Sequence, residues 1–213
     1  MKIGVFGSGI VAQTLGAGLK NKSHDVMLGT SSPEKLASWS SAHRIPVGSF
    51  SETAQFGEIV ILAVKGSAAL DVVRAAAPEK LAGKTVIDAT NPVADEPPVN
   101  GVMRFFTGPN ESLHERLQTA FPTVHFVKAL NSVGYPHFID PVFVSGPPTM
   151  FIAGNNIDAK LKVTGLLTQI GWETADMGAS EAARAIEPLC MLWCIPGFAR
   201  NEWMHAFKLL KAD

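Results

Sequence analysis

The stretch KIGVFGSGIVAQTLGAGL, Lys2 to Leu19, decides the fold. The apolar residues before its glycines predict a buried strand, and Val11, Leu15 and Leu19 recur at the spacing of an amphipathic helix. A second strand is predicted at Asp25 to Gly29. A strand, a glycine turn, a helix and a second strand form a βαβ unit, which is the building block of a parallel sheet.

The glycine turn has the spacing of a dinucleotide-binding motif, G-x-G-x-x-G/A. Gly7 permits the tight turn, Gly9 lets the backbone approach a pyrophosphate, and Ala12 allows close helix packing. The unpaired N–H groups and the dipole of a helix that begins near Gly9 favour a bound anion, so no basic side chain is required there. The predicted pyrophosphate site comprises Gly7, Ser8, Gly9, Ile10 and Val11.

The end of the second strand, VMLGTSSPEK (Val26 to Lys35), lacks the acid that usually binds the ribose 2′-OH about twenty residues past the glycines. Hydroxyl groups can donate to a 2′-phosphate, and Lys35 can supply a point charge, so we predict NADP rather than NAD as the cofactor. Alternatively, Ser31 and Ser32 cap a helix that starts at Pro33, and both interpretations can hold together. The predicted 2′-phosphate site comprises Thr30, Ser31, Ser32 and Lys35.

Strand and helix patterns alternate along the following hundred or so residues, which predicts an α/β fold with a doubly wound, mostly parallel Rossmann sheet. Continuous apolar runs such as EIVILAV are typical of strands that are buried on both faces. The predicted strands are Glu58–Val64, Lys84–Thr90 and Val124–Leu130, and the predicted helices are Pro33–Ala42, Ser67–Ala77 and Ser112–Phe121; the residues Ile45 to Val47 are expected to connect the first of these helices to the strand at Glu58–Val64.

A segment rich in proline and glycine begins at Asn131 and interrupts this alternation. We therefore predict a dinucleotide-binding Rossmann domain at residues 1–130, and a smaller C-terminal part at residues 131–213 for substrate binding and dimerisation. This small part is expected to change from α/β to helical, with its final helices broken or restarted by Pro188 and Pro196. Its predicted elements are a strand at Thr149–Ala153, a helix at Ile157–Gln169, a strand at Glu173–Ala175, and helices from Ser180 onward.

The C-terminal part also carries most of the tryptophans. Trp172, Trp193 and Trp203 lie at spacings that are typical of a core or a dimer interface, so a homodimer is expected. Cys190 and Cys194 are the only cysteines. Four residues apart on one helix they have poor geometry for a disulfide, and two ligands do not make a zinc site, so we predict that they are buried in the core.

Composition restricts the partners. The formal net charge is -1 and 17% of residues are charged, which lacks the basic excess that nucleic acid binding needs. No apolar run reaches the roughly 18 residues of a membrane span, so no membrane partner is expected. The first strand begins at residue 2 and leaves no room for a signal peptide, which predicts a cytoplasmic protein.

Other strand ends should complete the binding site, because ligands of open α/β sheets bind beyond the carboxyl ends of the strands. Lys65 could reach a phosphate or point to solvent, and Asn131 could donate to the nicotinamide or simply form a turn before Gly134. The additional predicted cofactor contacts are Ala63, Val64, Lys65, Asn91, Pro92, Ala129 and Asn131.

No acid–base apparatus stands out, so no catalytic residue is assigned and no metal site is predicted. His114 and His125 fall in a helix and a strand, which leaves His137 as the candidate proton donor. Glu187 could reach the cleft, although an acid at a helix end is usually solvated. Hydride transfer needs positioning more than proton transfer, since the cofactor carries the reactive chemistry.

The segments GVFGSGIVAQTLGAGL, LGTSSPEK, LAVKG, DATNP, VKALNSVG and EPLCMLWCIPGF resemble, in this order, the coenzyme F420-dependent NADP oxidoreductase family. The resemblance covers nearly the whole chain. It implies that a hydride passes between the nicotinamide C4 and a deazaflavin or flavin-like ring in the cleft between the two parts. It also implies that NADP is held by Ser8 to Val11, Thr30, Ser31 and Lys35, with Val64, Ala129 and Asn131 near the nicotinamide.

The chain departs from the family in two places. Ser31 stands where these proteins commonly carry arginine, which would weaken the grip on the 2′-phosphate. The segment from Asn91 to Met150 offers only Arg104, Arg116 and Lys128 as fixed cations for an anionic F420 tail. A flavin or another small acceptor therefore fits at least as well as F420.

The sequence thus predicts an NADP-dependent oxidoreductase that transfers a hydride between NADPH and a deazaflavin, flavin-like or small carbonyl acceptor. One alternative is an imine or 3-hydroxy-acid reductase, which would need a proton donor such as Lys65 or His137 near the nicotinamide. The other is a non-catalytic NADP(H)-binding redox sensor, which the missing catalytic acid favours.

Overall fold

The computed structural model describes residues 1–212 and contains a six-stranded parallel sheet. Its strands are β1 Lys2–Phe6, β2 Asp25–Gly29, β3 Val47–Gly48, β4 Ile59–Leu62, β5 Thr85–Asp88 and β6 His125–Lys128, and they lie in the order β3-β2-β1-β4-β5-β6. Two successive half-units wind outward in opposite directions from β1, so the predicted doubly wound Rossmann fold is confirmed.

A second sheet has two parallel strands, β7 Thr149–Ile152 and β8 Glu173–Asp176, which one helix connects. The helices are α1 Ile10–Asn21, α2 Ala37–His43, α3 Phe50–Phe56, α4 Ala69–Ala75, α5 Leu113–Ala120, α6 Ile157–Gln169 and α7 Ala183–Arg200. None of the helices within residues 1–212 combines the length and the apolar character that a bilayer crossing needs.

Side chains of the main sheet alternate between two hydrophobic layers, because successive residues of a strand point to opposite faces. Ile61 and Ile87 pack on the face that α1 and α6 cover, whereas Leu62 and Val86 pack on the face of α4 and α5. The first layer continues without a break to Trp172. The division into residues 1–130 and 131–213 stays a prediction.

The sequence prediction missed α3. Its start carries a capping box in which the Glu52 N–H donates to Ser49 Oγ at 3.2 Å and the Ser49 N–H donates to Glu52 Oε2 at 2.8 Å. This reciprocal pair satisfies two backbone donors that a helix start otherwise leaves unpaired. The helix places Phe50 edge-on against the ring of Phe6, with centroids 5.5 Å apart.

The predicted breaks at Pro188 and Pro196 are wrong, because α7 runs through both residues as one helix of 18 residues. A proline in a helix leaves the carbonyl four residues earlier without its partner, here those of Arg184 and Leu192. Both of these residues are exposed, so water can bind the freed carbonyls.

Two local expectations also need correction. Ser32 precedes the 3-10 turn Pro33–Leu36, but its side chain makes no capping hydrogen bond within the described residues. Cys190 and Cys194 are free and half-buried rather than fully buried. The hydrogen bond with Cys194 and, to a lesser extent, burial raise the pKa of the Cys190 thiol, so this thiol is held in its protonated form.

Candidate active site

A cavity of about 470 Å³ opens at the carboxyl ends of β1, β2 and β4. It is the place where a doubly wound sheet binds its ligand, since the strand order reverses there. Two of its wall residues, Phe50 and Ala89, were not predicted. The wall consists of Gly7, Ser8, Gly9, Ile10, Val11, Thr30, Ser31, Phe50, Ala63, Val64, Lys65 and Ala89.

Gly7 and Gly9 meet different structural requirements in the turn. Gly7 has a φ of 140°, and a Cβ there would overlap the carbonyl oxygen of Ala63. Gly9 has a φ of -79°, which any residue adopts, and a Cβ there would have nothing within 4 Å. Gly7 is therefore required by the backbone, whereas Gly9 keeps space free directly in front of the first turn of α1.

Alcohol groups and not carboxylates line the end of β2. Thr30 is buried, and its Oγ1 accepts a hydrogen bond from the Ser32 N–H at 3.3 Å. Ser31 is exposed and lines the cavity. Ser32 and Lys35 do not line the cavity, and Lys35 is exposed to solvent.

A second cavity of about 340 Å³ adjoins the first and shares Val64, Lys65 and Ala89 with it. It extends over Thr90 and Asn91 to Asp95. The Lys65 side chain is 82% exposed, and its Nζ lies 3.8 Å from a carboxylate oxygen of Asp95. An ion pair this exposed to water contributes little to the stability of the fold.

The remaining predicted contacts lie behind this wall. Pro92, Ala129 and Asn131 are buried and line neither cavity. Asn131 instead donates from Nδ2 to Asn91 Oδ1 at 3.1 Å and to the Ile186 carbonyl at 3.0 Å, while Asn91 Nδ2 donates to the Asn131 carbonyl at 2.8 Å. Asn131 therefore supports Asn91 from behind and joins it to α7.

Four buried ionisable residues, which we call the ionic cluster, lie beneath the second cavity: Asp88, His114, Lys128 and Glu187. Lys128 Nζ lies 2.9 Å from Asp88 Oδ2 and 2.9 Å from Glu187 Oε1. His114 Nδ1 lies 3.1 Å from Asp88 Oδ2 and donates to it, since an ionised carboxylate can only accept. Lys128 and Glu187 are both buried. The predictions that Lys128 is an available cation and that Glu187 is solvated are therefore wrong.

The cluster holds its charges through mutual contact. Burial alone would raise the pKa of Asp88, but the Lys128 ammonium and the hydrogen bonds from His114 and Thr90 hold it well below its usual range. Burial alone would lower the pKa of Lys128, but the Asp88 and Glu187 carboxylates raise it. Asp88 and Lys128 therefore remain charged at neutral pH, and each depends on its neighbours.

His137, the predicted candidate proton donor, is buried outside both cavities, with its ring 4.9 Å from that of Phe143. Burial and, second, the charge of His205 lower its pKa. Within residues 1–212 no group of three His, Cys, Asp or Glu is arranged to hold a metal ion.

Stability is expected to fall in mild acid, because burial is the main cause that lowers the pKa of His24 as well as of His137. The unfolded chain binds these protons near pH 6.5 and the folded chain only at lower pH, so the free energy of unfolding decreases as pH falls from about 6.5 through the folded pKa values. Urea unfolding at about pH 7 and about pH 5 measures the loss. His24→Leu should reduce the difference in the free energy of unfolding between the two pH values. His43→Leu is the control, because His43 is exposed, and it should leave that difference unchanged.

The chain is similar to known proteins in sequence and in structure. Residues 2–92 match the family described as NADP oxidoreductase coenzyme F420-dependent. A solved structure from Arthrobacter sp. FB24, provisionally described as an F420-dependent NADP reductase, is 30% identical with a TM-score of 0.92. The match covers 99% of this chain and 100% of that one.

Two further matches cover most of this chain but only part of the other protein. Metalloreductase STEAP3 of Rattus norvegicus is 27% identical over 201 residues, which is 92% of this chain, and the match spans 38% of the length of the rat protein. A Streptomyces aurantiacus imine reductase is 17% identical with a TM-score of 0.67, over 93% of this chain and 63% of that one. At this identity the likeness shows the fold alone.

Proposed function

Because the chain belongs to the coenzyme F420-dependent NADP oxidoreductase family and is an NADP-dependent oxidoreductase, we propose that it passes a hydride between NADPH and a planar flavin or deazaflavin ring. One observation carries the proposal: the cavity before α1 continues into a second cavity across the shared residues Val64 and Ala89. Two flat rings can stack there, and hydride transfer needs little more than that alignment.

The residues of the first cavity fit NADP. The backbone N–H groups at Gly9 to Val11 can hold the pyrophosphate, because the space at Gly9 is open and no side chain of the described chain caps this end of α1. Thr30 and Ser31 can hold the 2′-phosphate. NADPH bound in this way would supply a hydride, and Val64 and Ala89, which both cavities share, would line the place of its nicotinamide ring.

The charges around the second cavity favour an acceptor that has no long anionic tail. Arg104 is paired with Glu96 at 3.0 Å, Arg116 is paired with Glu111, and Lys128 is buried in the ionic cluster. Among the residues that line this cavity, Lys65 is the cation. A flavin with one phosphate or none therefore suits the site better than polyanionic F420.

The imine and 3-hydroxy-acid alternatives require a proton donor as well as a hydride donor. The ionisable side chains on the walls of the two cavities are Lys65 and Asp95, and both are largely exposed. His137 lies elsewhere, so Lys65 is the group that these reactions would have to use.

A screen of acceptors tests the proposal, with anaerobic NADPH oxidation followed by absorbance. Riboflavin, FMN and F420 represent the ring class, and a cyclic imine represents the imine reductases. Because 3-hydroxyisobutyrate is a hydride donor, it is tested in the opposite direction, by the formation of NADPH from NADP+. We expect turnover with the ring class and little effect of Lys65→Met on its kcat. Turnover confined to the imine or the hydroxy acid, and abolished by Lys65→Met, would reject the proposal.

Ser31→Asp is expected to weaken NADPH binding about tenfold or more, because a carboxylate at the cavity wall repels the 2′-phosphate. NADH lacks that phosphate, so its affinity should change little. Fluorescence titration of both nucleotides measures the ratio. Ser38→Asp, which adds the same charge on exposed α2, serves as the control; equal losses for both nucleotides in Ser31→Asp would contradict the assignment.

We also propose that the protein is a cytoplasmic homodimer. Leu192, Phe198 and Met204 expose 55%, 46% and 70% of their surface along α7 and the segment after it, and such apolar exposure is typical of an interface between subunits. Light scattering at several concentrations measures the mass, and a monomer throughout would exclude the dimer.

A further inference from the structure

The ionic cluster lies directly beneath the segment Ala89–Asn91, which lines the second cavity. Asp88 Oδ1 accepts from the Thr90 N–H at 3.0 Å and from Thr90 Oγ1 at 2.6 Å. Lys128 Nζ donates to the Thr90 carbonyl at 2.6 Å. Both the backbone and the side chain of Thr90 are therefore fixed by charged partners, and such bonds are stronger than neutral ones.

The same cluster connects this wall to the C-terminal helix. Glu187, on α7, accepts from Lys128 and also from the backbone N–H groups of Leu113 and His114, each at 3.0 Å. Next to it, the Asn91–Asn131 pair reaches the Ile186 carbonyl. Two independent routes thus fix the distance between the cavity wall and α7.

Stability alone is a poor reason for this arrangement. Lys128, Asp88 and Glu187 are almost completely removed from water, and the loss of their hydration offsets much or all of their mutual attraction. Apolar residues of similar volume would often stabilise such a site as well or better. What the charges provide is directional bonding to one short segment, and that segment faces the proposed ring site.

We propose that Asp88, Lys128 and Glu187 are positioning residues that hold the Ala89–Asn91 wall against α7, so that the nicotinamide and the acceptor ring are aligned for hydride transfer. The inference rests on the proposed function. It predicts that a weakened cluster impairs the nicotinamide half of the site and kcat, while the adenosine half keeps its affinity.

Glu187→Gln tests this, because it removes one charge and retains the size of the side chain. Adenosine 2′,5′-bisphosphate, which lacks the nicotinamide, should bind within about twofold of the original protein, since its contacts lie at β2. NADPH should bind more weakly, and kcat with the ring acceptor should fall about tenfold to a hundredfold, as expected for a misplaced reacting group.

Ser112→Ala is the matched control. Ser112 Oγ accepts from the Glu115 N–H at 3.1 Å, so its loss weakens the same end of α5 without touching the wall. The control should lower the melting temperature and leave kcat and the NADPH affinity unchanged. If Ser112→Ala and Glu187→Gln reduce kcat equally, the cluster is merely structural and the proposal is wrong.

A second pair of variants acts at the wall itself. Thr90→Val keeps the shape but removes the hydroxyl that donates to Asp88, whereas Thr90→Ser keeps it. We expect a loss of kcat in Thr90→Val and recovery in Thr90→Ser; identical rates would overturn the proposal. If the original protein turns over no ring acceptor, the proposed function fails, and the ratio of NADPH to bisphosphate affinities still decides the role of the cluster.

Discussion

Gly9→Val is expected to abolish NADPH binding and leave the fold intact. The backbone at Gly9 has an extended conformation that valine adopts, and a Cβ there would meet no protein atom within 4 Å. The added carbons would occupy the space in which the pyrophosphate approaches the N–H groups of α1. Loss of two charge-assisted hydrogen bonds of about 1.5–3 kcal/mol each lowers the affinity at least a hundredfold or so.

Fluorescence titration with NADPH measures the affinity, and a thermal melt measures the fold. Gly165→Val is the matched control, because Gly165 also has open space at its Cβ position and no positive φ, and it is exposed and lines neither of the two cavities described above. Gly7→Ala should behave in the opposite way and lower the melting temperature, since its Cβ overlaps Ala63. Undiminished NADPH binding in Gly9→Val would show that the pyrophosphate lies elsewhere.

The sequence predicted the first βαβ unit almost to the residue, because its signals are local. The bounds of β2 are those predicted, and the apolar face of α1 follows a helical period over the whole element. The end of β2 was recognisable for the same reason, since Thr30 and Ser31 follow directly on a strand. The sequence also contained a local signal for α3, because Ser49 and Glu52 have the spacing of a capping box. The prediction missed this helix, and it therefore also missed Phe50, which lies on α3 and lines the cavity.

The ionic cluster was not predictable in this way. Lys128 lies 40 residues from Asp88 in sequence, and the Leu113 N–H lies 74 residues from Glu187, so no spacing marks them as partners. In the sequence, Lys128 is simply a cation and Glu187 is simply an acid near a predicted helix end. Since lysine and glutamate are usually exposed, the sequence gives no reason to expect that either side chain is buried. Asn131 illustrates the same limit, because its residue type predicted a contact with the ligand while its packing places it behind Asn91.

Lys128→Met is expected to cause the largest loss of stability of any single change in the cluster. It leaves the Asp88 and Glu187 carboxylates buried without their cation, and the breakage of such a pair costs about 3–5 kcal/mol. For a chain of this length the melting temperature should fall by roughly 10 °C. Thermal and urea unfolding provide the measurement, and Arg74→Met, which breaks the exposed pair with Asp71, is the control with a change near zero.

A triple variant separates the two contributions to that loss. Asp88→Asn, Lys128→Met and Glu187→Gln together remove every permanent charge of the cluster, so the penalty for an unpaired buried carboxylate disappears while the directional bonds to Thr90 are weakened. We expect this variant to recover a large part of the stability that Lys128→Met loses, but none of the hydride-transfer rate. Recovery of both together would mean that the cluster contributes to the fold alone, because a neutral core would then serve the reaction as well as the charges do.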